Sequence, residues 1–415
     1  MHVIVVNDFA HVNGGAAKIA ILASLGLAQS SLSRLARDKN GVQVTFFSAV
    51  APQMPELEAA GIRVICLGQQ EILQDPDRVR AARQGLWNAR AARAMAELLS
   101  SCDPRETVVH VHGWVKALSS SPIRVAVQRG FKVVVTLHDY FIACPNGGFY
   151  NYQTREICTL QPLSAACLLE HCDSRSYAHK IWRVVRQGVQ QRLGGLPGGV
   201  QNYITYSPLS RQVLEPYLPA GARLFHVDNP VEMPSGQPAD PGASQAFVFV
   251  GRMSPEKGAV LLAQAAAQCG AALTFVGDGA CRAEALAACP GATVTGWLPA
   301  SAVRGHLQQA RALVLPSLWY ETFALVVQEA LALGLPVLVP ETCAAREYVR
   351  DGQTGFWFRR GDVEDLAQKM RRLMDPTLAR QLGRAAYEQY WSHPLTLQNH
   401  LEQLLACYTA ILASD

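Results

Sequence analysis

The sequence predicts an α/β protein made of two doubly wound domains that face each other across a cleft. Three observations carry this. The chain has 415 residues, too many for one ordinary domain. Short, continuous apolar runs rich in β-branched residues alternate with helical segments, as in parallel sheets covered on both faces. A break at NPVEMPSGQPADPG (Asn229–Gly242), with four Pro and two Gly, divides the alternation in two.

The first half opens with a strand at Val3–Val6, a polar loop holding Gly14 and Gly15, and a helix over Ala17–Gln29. Further strands are expected at Val44–Ser48, Val64–Cys66, Val108–Val111, Val133–Leu137 and Tyr203–Thr205. After the linker come Phe247–Val250, Leu273–Val276, Thr293–Thr295, Leu313–Leu315 and Val337–Val339. This assigns 1–229 to a first domain with a Cys-rich insert at 141–175 and 230–390 to a second. A last helix, 391–415, is expected to pack back on the first domain. In doubly wound folds ligands sit at the carboxyl ends of the strands, so the natural site is the cleft between the two sheets.

Composition narrows the function. The net charge of +4 is too small to argue for nucleic-acid binding. No apolar run reaches membrane-spanning length. The start, MHVIVVNDF, lacks a basic leader and cleavage site and reads as a buried strand. Eleven Cys scattered along such a chain suggest free thiols in a reducing, cytoplasmic compartment.

Candidate chemistry gathers in the second half. FVGRMSPEKG (Phe249–Gly258) places Gly251, Arg252 and Lys257 on a loop leaving a strand, where two cations suit a diphosphate. Solvated surface cations are the alternative at even weight. FVGDG (Phe275–Gly279) runs a strand into a turn at Gly277 that fits under a base or ribose, or is only a tight turn. In LPSLWYETFALVVQEALALGLPVLVP, Glu321 precedes a helix expected over Phe323–Leu333 and Glu329 lies about two turns inside it. A helix start offers free N–H groups to an anion, and a carboxylate accepts two sugar hydroxyls at once. One Glu for a hexose and one for a ribose is the sharp reading. A dipole partner for Glu321 and an exposed helix position for Glu329 are the bland ones.

In order and spacing, FVGRMSPEKG, FVGDG, ETFALVVQE and EYVRDGQTGFWF (Glu347–Phe358) resemble the retaining nucleotide-sugar glycosyltransferases of the GT-B fold, glycosyltransferase family 4. The resemblance is strongest over 245–375. It implies two Rossmann-like domains. Arg252 and Lys257 would bind the donor diphosphate, Glu329 the ribose, and Glu321 the transferred sugar. The backbone of Thr322, Phe323 and Ala324 would assist Glu321, with Leu325 and Val326 near the diphosphate and ribose. In the first half, Gly14 and Gly15 match the family's glycine loop near donor and acceptor. VVVTLHDYF (Val133–Phe141) matches the strand whose His, here His138, contacts the donor sugar. Without the family, His138 reads equally well as a core histidine. The resemblance implies sugar transfer with retention and no metal for catalysis. The acceptor would be a glycan or lipid-linked glycan, at the inner face of a membrane.

Two features lie outside that pattern. Cys144, Cys158, Cys167 and Cys172 fall within 29 residues, a set suited to a structural zinc, although buried free thiols or disulfides carry more weight. AHKIWRVVRQGVQQRL (Ala178–Leu193) carries Lys180, Arg183, Arg186 and Arg192, and Asp77–Leu99 carries five Arg. These suit a peripheral membrane contact, with solvated helix faces the heavier alternative. Competing functions are a nucleotide-sugar epimerase, a phosphorylase on a similar fold, and a non-catalytic nucleotide-sugar-binding subunit.

Overall fold

The computed structural model describes residues 1–29 and 41–414. Among the described residues, nine strands belong to the first half: β1 (His2–Phe9), β2 (Gln43–Val50), β3 (Arg63–Gln69), β4 (Thr107–Val111), β5 (Lys132–Thr136), β6 (Tyr150–Asn151), β7 (Glu156–Ile157), β8 (Asn202–Thr205) and β9 (Arg223–His226). Six follow the linker: β10 (Phe247–Val250), β11 (Leu273–Val276), β12 (Thr293–Val294), β13 (Ala312–Val314), β14 (Val337–Pro340) and β15 (Gly355–Phe358). Five helices matter below: α1 (Gly15–Gln29), α2 (Arg78–Leu86), α3 (Tyr177–Arg192), α4 (Leu325–Ala332) and α5 (Leu397–Leu412).

The first sheet has the order β3-β2-β1-β4-β5-β8-β9, and every pairing in it is parallel. The second has the order β12-β11-β10-β13-β14-β15, again parallel throughout. The apolar runs explain this: Val3–Val6 and Val108–Val111 are buried at every position, so both faces of the strand must be covered. In each sheet the chain order reverses beside the first strand. The loops after β1, β4 and β5 in one domain, and after β10 and β13 in the other, therefore frame the switch points where ligands bind.

The central strands match their expected positions to within a few residues. The sequence reading had not assigned β9, β15 or the antiparallel β6–β7 hairpin as strands. Helix α4 is shorter than expected, starting at Leu325, because Ala324 is extended (φ −111°, ψ 91°). Helix α5 crosses back to the first sheet, where Leu401, Leu404, Tyr408 and Ile411 share one core with Val3, Val5, Phe46 and Val108.

Candidate active site

Backbone packing fixes the second-domain face of the cleft. Gly251 (φ +143°) and Gly277 (φ +141°) end β10 and β11, and a Cβ at Gly277 would lie 2.0 Å from the Gly251 carbonyl oxygen. The loop after β10 then turns through Pro255–Lys257 to Gly258 (φ +72°), where a Cβ would meet the Pro316 carbonyl oxygen at 1.9 Å. Only glycine permits both the left-handed conformation and the approach. The result is that the loop carrying Lys257 rests directly on the loop carrying Glu321.

Those two side chains meet. Lys257 Nζ donates to both carboxylate oxygens of Glu321, at 2.7 and 2.9 Å. Ser317 Oγ and Trp319 Nε1 each donate to Oε2 at 2.9 Å. Glu321 is buried, and these four bonds are what make its charge tolerable there. Its Oε2 is saturated, while Oε1 holds one bond and keeps acceptor capacity. The Lys257 ammonium also lies 5.3 Å from the Trp319 ring centroid. Arg252 is exposed, and no described residue pairs with it.

Helix α4 begins without a side-chain cap. Its Val327 N–H bonds the Ala324 carbonyl at 3.0 Å, so the N–H groups of Leu325 and Val326 are left for solvent or a ligand. Glu329 is half-buried, and its carboxylate accepts no hydrogen bond from a described residue. Burial raises its carboxyl above the usual range, opposed by Lys18 of α1 and Arg304. It is not the ordinary exposed helix position that the sequence left open. Leu325 reaches across to the other domain, its Cδ1 3.9 Å from where a Cβ on Gly15 would stand. Gly14 has φ +96°, and with Gly15 it brings bare backbone to the start of α4. Val326 is half-buried beside it. The Phe323 ring is spent on packing between Tyr206 and Tyr348, so only its backbone is left for a donor.

On the first-domain face, Thr322 Oγ1 donates to the His138 carbonyl at 2.9 Å, tying the two loops across the cleft. The His138 ring turns inward: Nε2 lies 3.0 Å from His112 Nδ1 and 3.5 Å from the Tyr206 hydroxyl. Burial lowers its pKa to about 3, so it is neutral and only partly open to the cleft. Behind His112, His110 bonds Thr136 and Tyr408, linking this cluster to α5. Next to His138, Asp139 accepts the Phe141 N–H at 3.0 Å, and burial pushes its carboxyl up to about 6. Asp8, at the end of β1, accepts the N–H groups of Lys116, Ala117 and Leu118 and so holds the loop after β4 in place.

Sequence reasoning passed over His112, Ser317, Trp319 and Asp8. The alternating histidines of VHVHG and the polar residues flanking Glu321 were the available signals. Neither shows from spacing which loop will touch which.

Among the described residues no three His, Cys, Asp or Glu side chains are grouped to hold a metal ion. All eleven Cys are free thiols. The Lys180 ammonium instead donates to Cys167 Sγ at 3.4 Å and Cys172 Sγ at 3.2 Å, placing a cation against two of the four candidate ligands. The insert is held by packing and by ties to the second domain. Arg155 pairs with Glu284 at 3.1 Å and Arg360 with Glu156 at 2.6 Å, beside a cavity of about 230 Å³. Gly148 of the insert abuts the Trp319 ring, 3.2 Å from its would-be Cβ.

Comparison with known proteins agrees with this layout. The whole chain has the GT-B fold. It superposes on sucrose-phosphate synthase from Thermosynechococcus elongatus with a TM-score of 0.67 at 18% identity, covering 100% of both chains. The Anabaena protein HepE, solved in complex with UDP, gives 0.61 at 15% identity over 99% of this chain and 100% of that one. Residues 244–376 match the family model described as Glycosyl transferases group 1, so the second domain carries the group signature. The GDP-mannose-dependent alpha-mannosyltransferase of Mycolicibacterium smegmatis is 38% identical over 107 residues, 26% of this chain and 28% of the relative. The chain thus spans under a third of that relative's length in the match.

Proposed function

We propose that this protein is a retaining glycosyltransferase that moves a sugar from a nucleoside-diphosphate sugar to a glycan or lipid-linked acceptor, in surface polysaccharide synthesis. The observation that carries the reading is the Lys257–Glu321 pair set beside the uncapped start of α4 and facing Gly14–Gly15. An ammonium has three donors, so Lys257 can keep Glu321 and still bind a phosphate oxygen. Arg252, exposed and unpaired by any described residue, would take the diphosphate with it. These cations and the free N–H groups of α4 stand ready where negative charge grows as the sugar–phosphate bond breaks. Glu321 Oε1 would take a hydroxyl of the transferred sugar, and Glu329, desolvated and without a described hydrogen-bond donor, the ribose hydroxyls. The positive charge that would face the diphosphate comes from side chains and backbone, so the reading calls for no metal in catalysis.

His138 contributes its position more than its charge. Held neutral against His112, it would present ring edge and backbone to the sugar. Among the described residues no helix is long and apolar enough to cross a membrane, and work at the inner face would be peripheral.

The test begins with thermal stability in the presence of UDP, GDP, ADP and their sugars. A ligand at a hundred times its Kd should add about 2.7 kcal/mol. The selected donor is then turned over and the product anomer read by NMR. Retention supports the reading. Inversion, or no stabilisation by any nucleotide, overturns it.

A further inference from the structure

Helix α3 is turned inside out relative to its composition. Three of its four basic residues face the protein: Lys180 is 1% exposed, Arg186 is 8% exposed, and Arg183 is half-buried. Each is satisfied there, Lys180 by two thiols, Arg183 by Asp173 at 2.9 Å, and Arg186 by the Phe141 and Trp182 rings and two carbonyls. Besides His179, Gln191 and Arg192, what α3 shows to solvent is apolar. Tyr177, Ile181 and Val185 recur every four residues, 38%, 40% and 47% exposed, and Leu193 follows just past the helix end.

This is part of a larger face. Of the ten large apolar side chains exposed among the described residues, seven fall on 73–79 and 169–193: Leu73, Val79, Leu169, Tyr177, Ile181, Val185 and Leu193. The two stretches adjoin. Helix α2 packs on α3 at Gly85, where a Cβ would strike the Trp182 ring at 2.7 Å, and the Tyr177 hydroxyl donates to the Leu168 carbonyl at 2.8 Å. The exposed charge of this face is mostly basic: Asp75 and Asp173 are buried against Arg80 and Arg183, which leaves Asp77 and the half-buried Glu170 as its acidic members. Neither α2 nor α3 contains an Asp or Glu. Arg83, Arg175 and Arg192 are exposed and pair with no described carboxylate, and the neighbouring Asp77 is engaged as the cap of α2.

We propose that this face docks on an anionic lipid bilayer. Separate aliphatic side chains and a tyrosine among unpaired arginines suit insertion at the headgroup boundary, with the guanidinium groups on lipid phosphates. A second copy of the chain fits poorly, because a two-fold contact would set this basic face against itself. The inner side of the same helix holds the cleft: Gln190 donates to the Phe141 carbonyl at 3.2 Å, two residues beyond Asp139. Docking would therefore bring the bilayer to about one helix diameter, ~10 Å, from the loop that carries His138. Only this last step rests on the glycosyltransferase reading.

The experiment is sedimentation of the full chain with phosphatidylcholine vesicles and with mixed phosphatidylcholine–phosphatidylglycerol vesicles. We expect partition at least about tenfold stronger on the anionic vesicles, weakening as salt is raised. Ile181→Ser with Val185→Ser should reduce it about tenfold. Arg83→Glu with Arg175→Glu and Arg192→Glu should abolish the preference for anionic lipid. All five positions are exposed, and unchanged circular dichroism would confirm folding. Equal partition on both vesicles, no partition, or a dimer that the Ile181→Ser/Val185→Ser variant dissolves would overturn the proposal. Nucleotide binding is measured in parallel: vesicle binding without any nucleotide binding would sink the glycosyltransferase reading and leave the docking face standing.

Discussion

Lys257 and Arg252 were read alike from the sequence, yet the structure gives them different work. Lys257 neutralises a buried carboxylate before any donor arrives, whereas Arg252 touches no described ion-pair partner. Lys257→Ala should therefore cost about 1–3 kcal/mol of stability as well as donor affinity. Arg252→Ala should leave stability within about 0.5 kcal/mol and weaken donor diphosphate binding by about 1.5–3 kcal/mol. Denaturant unfolding and calorimetric titration separate the two effects, and equal stability losses would contradict the assignment. Glu329→Ala should raise donor Kd while leaving turnover at saturation nearly unchanged, since a ribose contact is the same in ground and transition states. Asp139 makes a pH prediction. Its folded pKa of about 6 lies above the ordinary 3.8, so protonation favours the folded state. That contribution is full below pH 4 and is lost as pH rises through about 6. Asp139→Asn keeps an acceptor for the Phe141 N–H and removes the buried charge. Its melting temperature should exceed the parent's at pH 8, by up to about 3 kcal/mol of stability, and match it near pH 4. A uniform shift across pH would show that the ionised form carries no penalty.

At the scale of elements, the strands were legible because a parallel strand covered on both faces can only be an unbroken apolar run. Val3–Val6 and Val337–Val339 announce themselves this way. The glycines at 251, 258 and 277 were legible as turns, but the reason for them was not. Gly258 and Gly277 each let one loop lie on another's carbonyl, a contact between segments far apart in sequence. Gly258→Ala should thus destabilise by more than about 2 kcal/mol and also weaken donor binding, because it separates the Lys257 loop from Pro316. A variant with parental melting temperature and affinity would refute the role given to that contact. Helix α3 misled for a physical reason. Amphipathicity read from sequence assumes charges face water, whereas thiols, Asp173 and aromatic rings drew three of its cations inward. Likewise, spacing could not reveal that Lys180 would lie against Cys167 and Cys172 of the four-cysteine set.

At the scale of the molecule, the cleft exists because residues from both halves close on it. Thr322 bonds the His138 carbonyl, Leu325 approaches Gly15, and the insert hairpin reaches Glu284 and Arg360. Motif order offered candidate residues for each wall. Which of them touch across the gap could not, because two sheets can face each other in many registers and only side-chain packing selects one. The central claim is that Glu321 holds the sugar that reacts while its neighbours hold the diphosphate. The direct measurement is nucleoside-diphosphate release from the selected donor and acceptor, by the parent and by Glu321→Gln, with donor Kd measured on both. The claim predicts steady release by the parent. In Glu321→Gln it predicts turnover lower by about a hundredfold, ~2.7 kcal/mol, and donor Kd within a few fold of the parent's. Release by Glu321→Gln at the parental rate, or a variant that loses donor affinity and keeps its turnover at saturation, would contradict it.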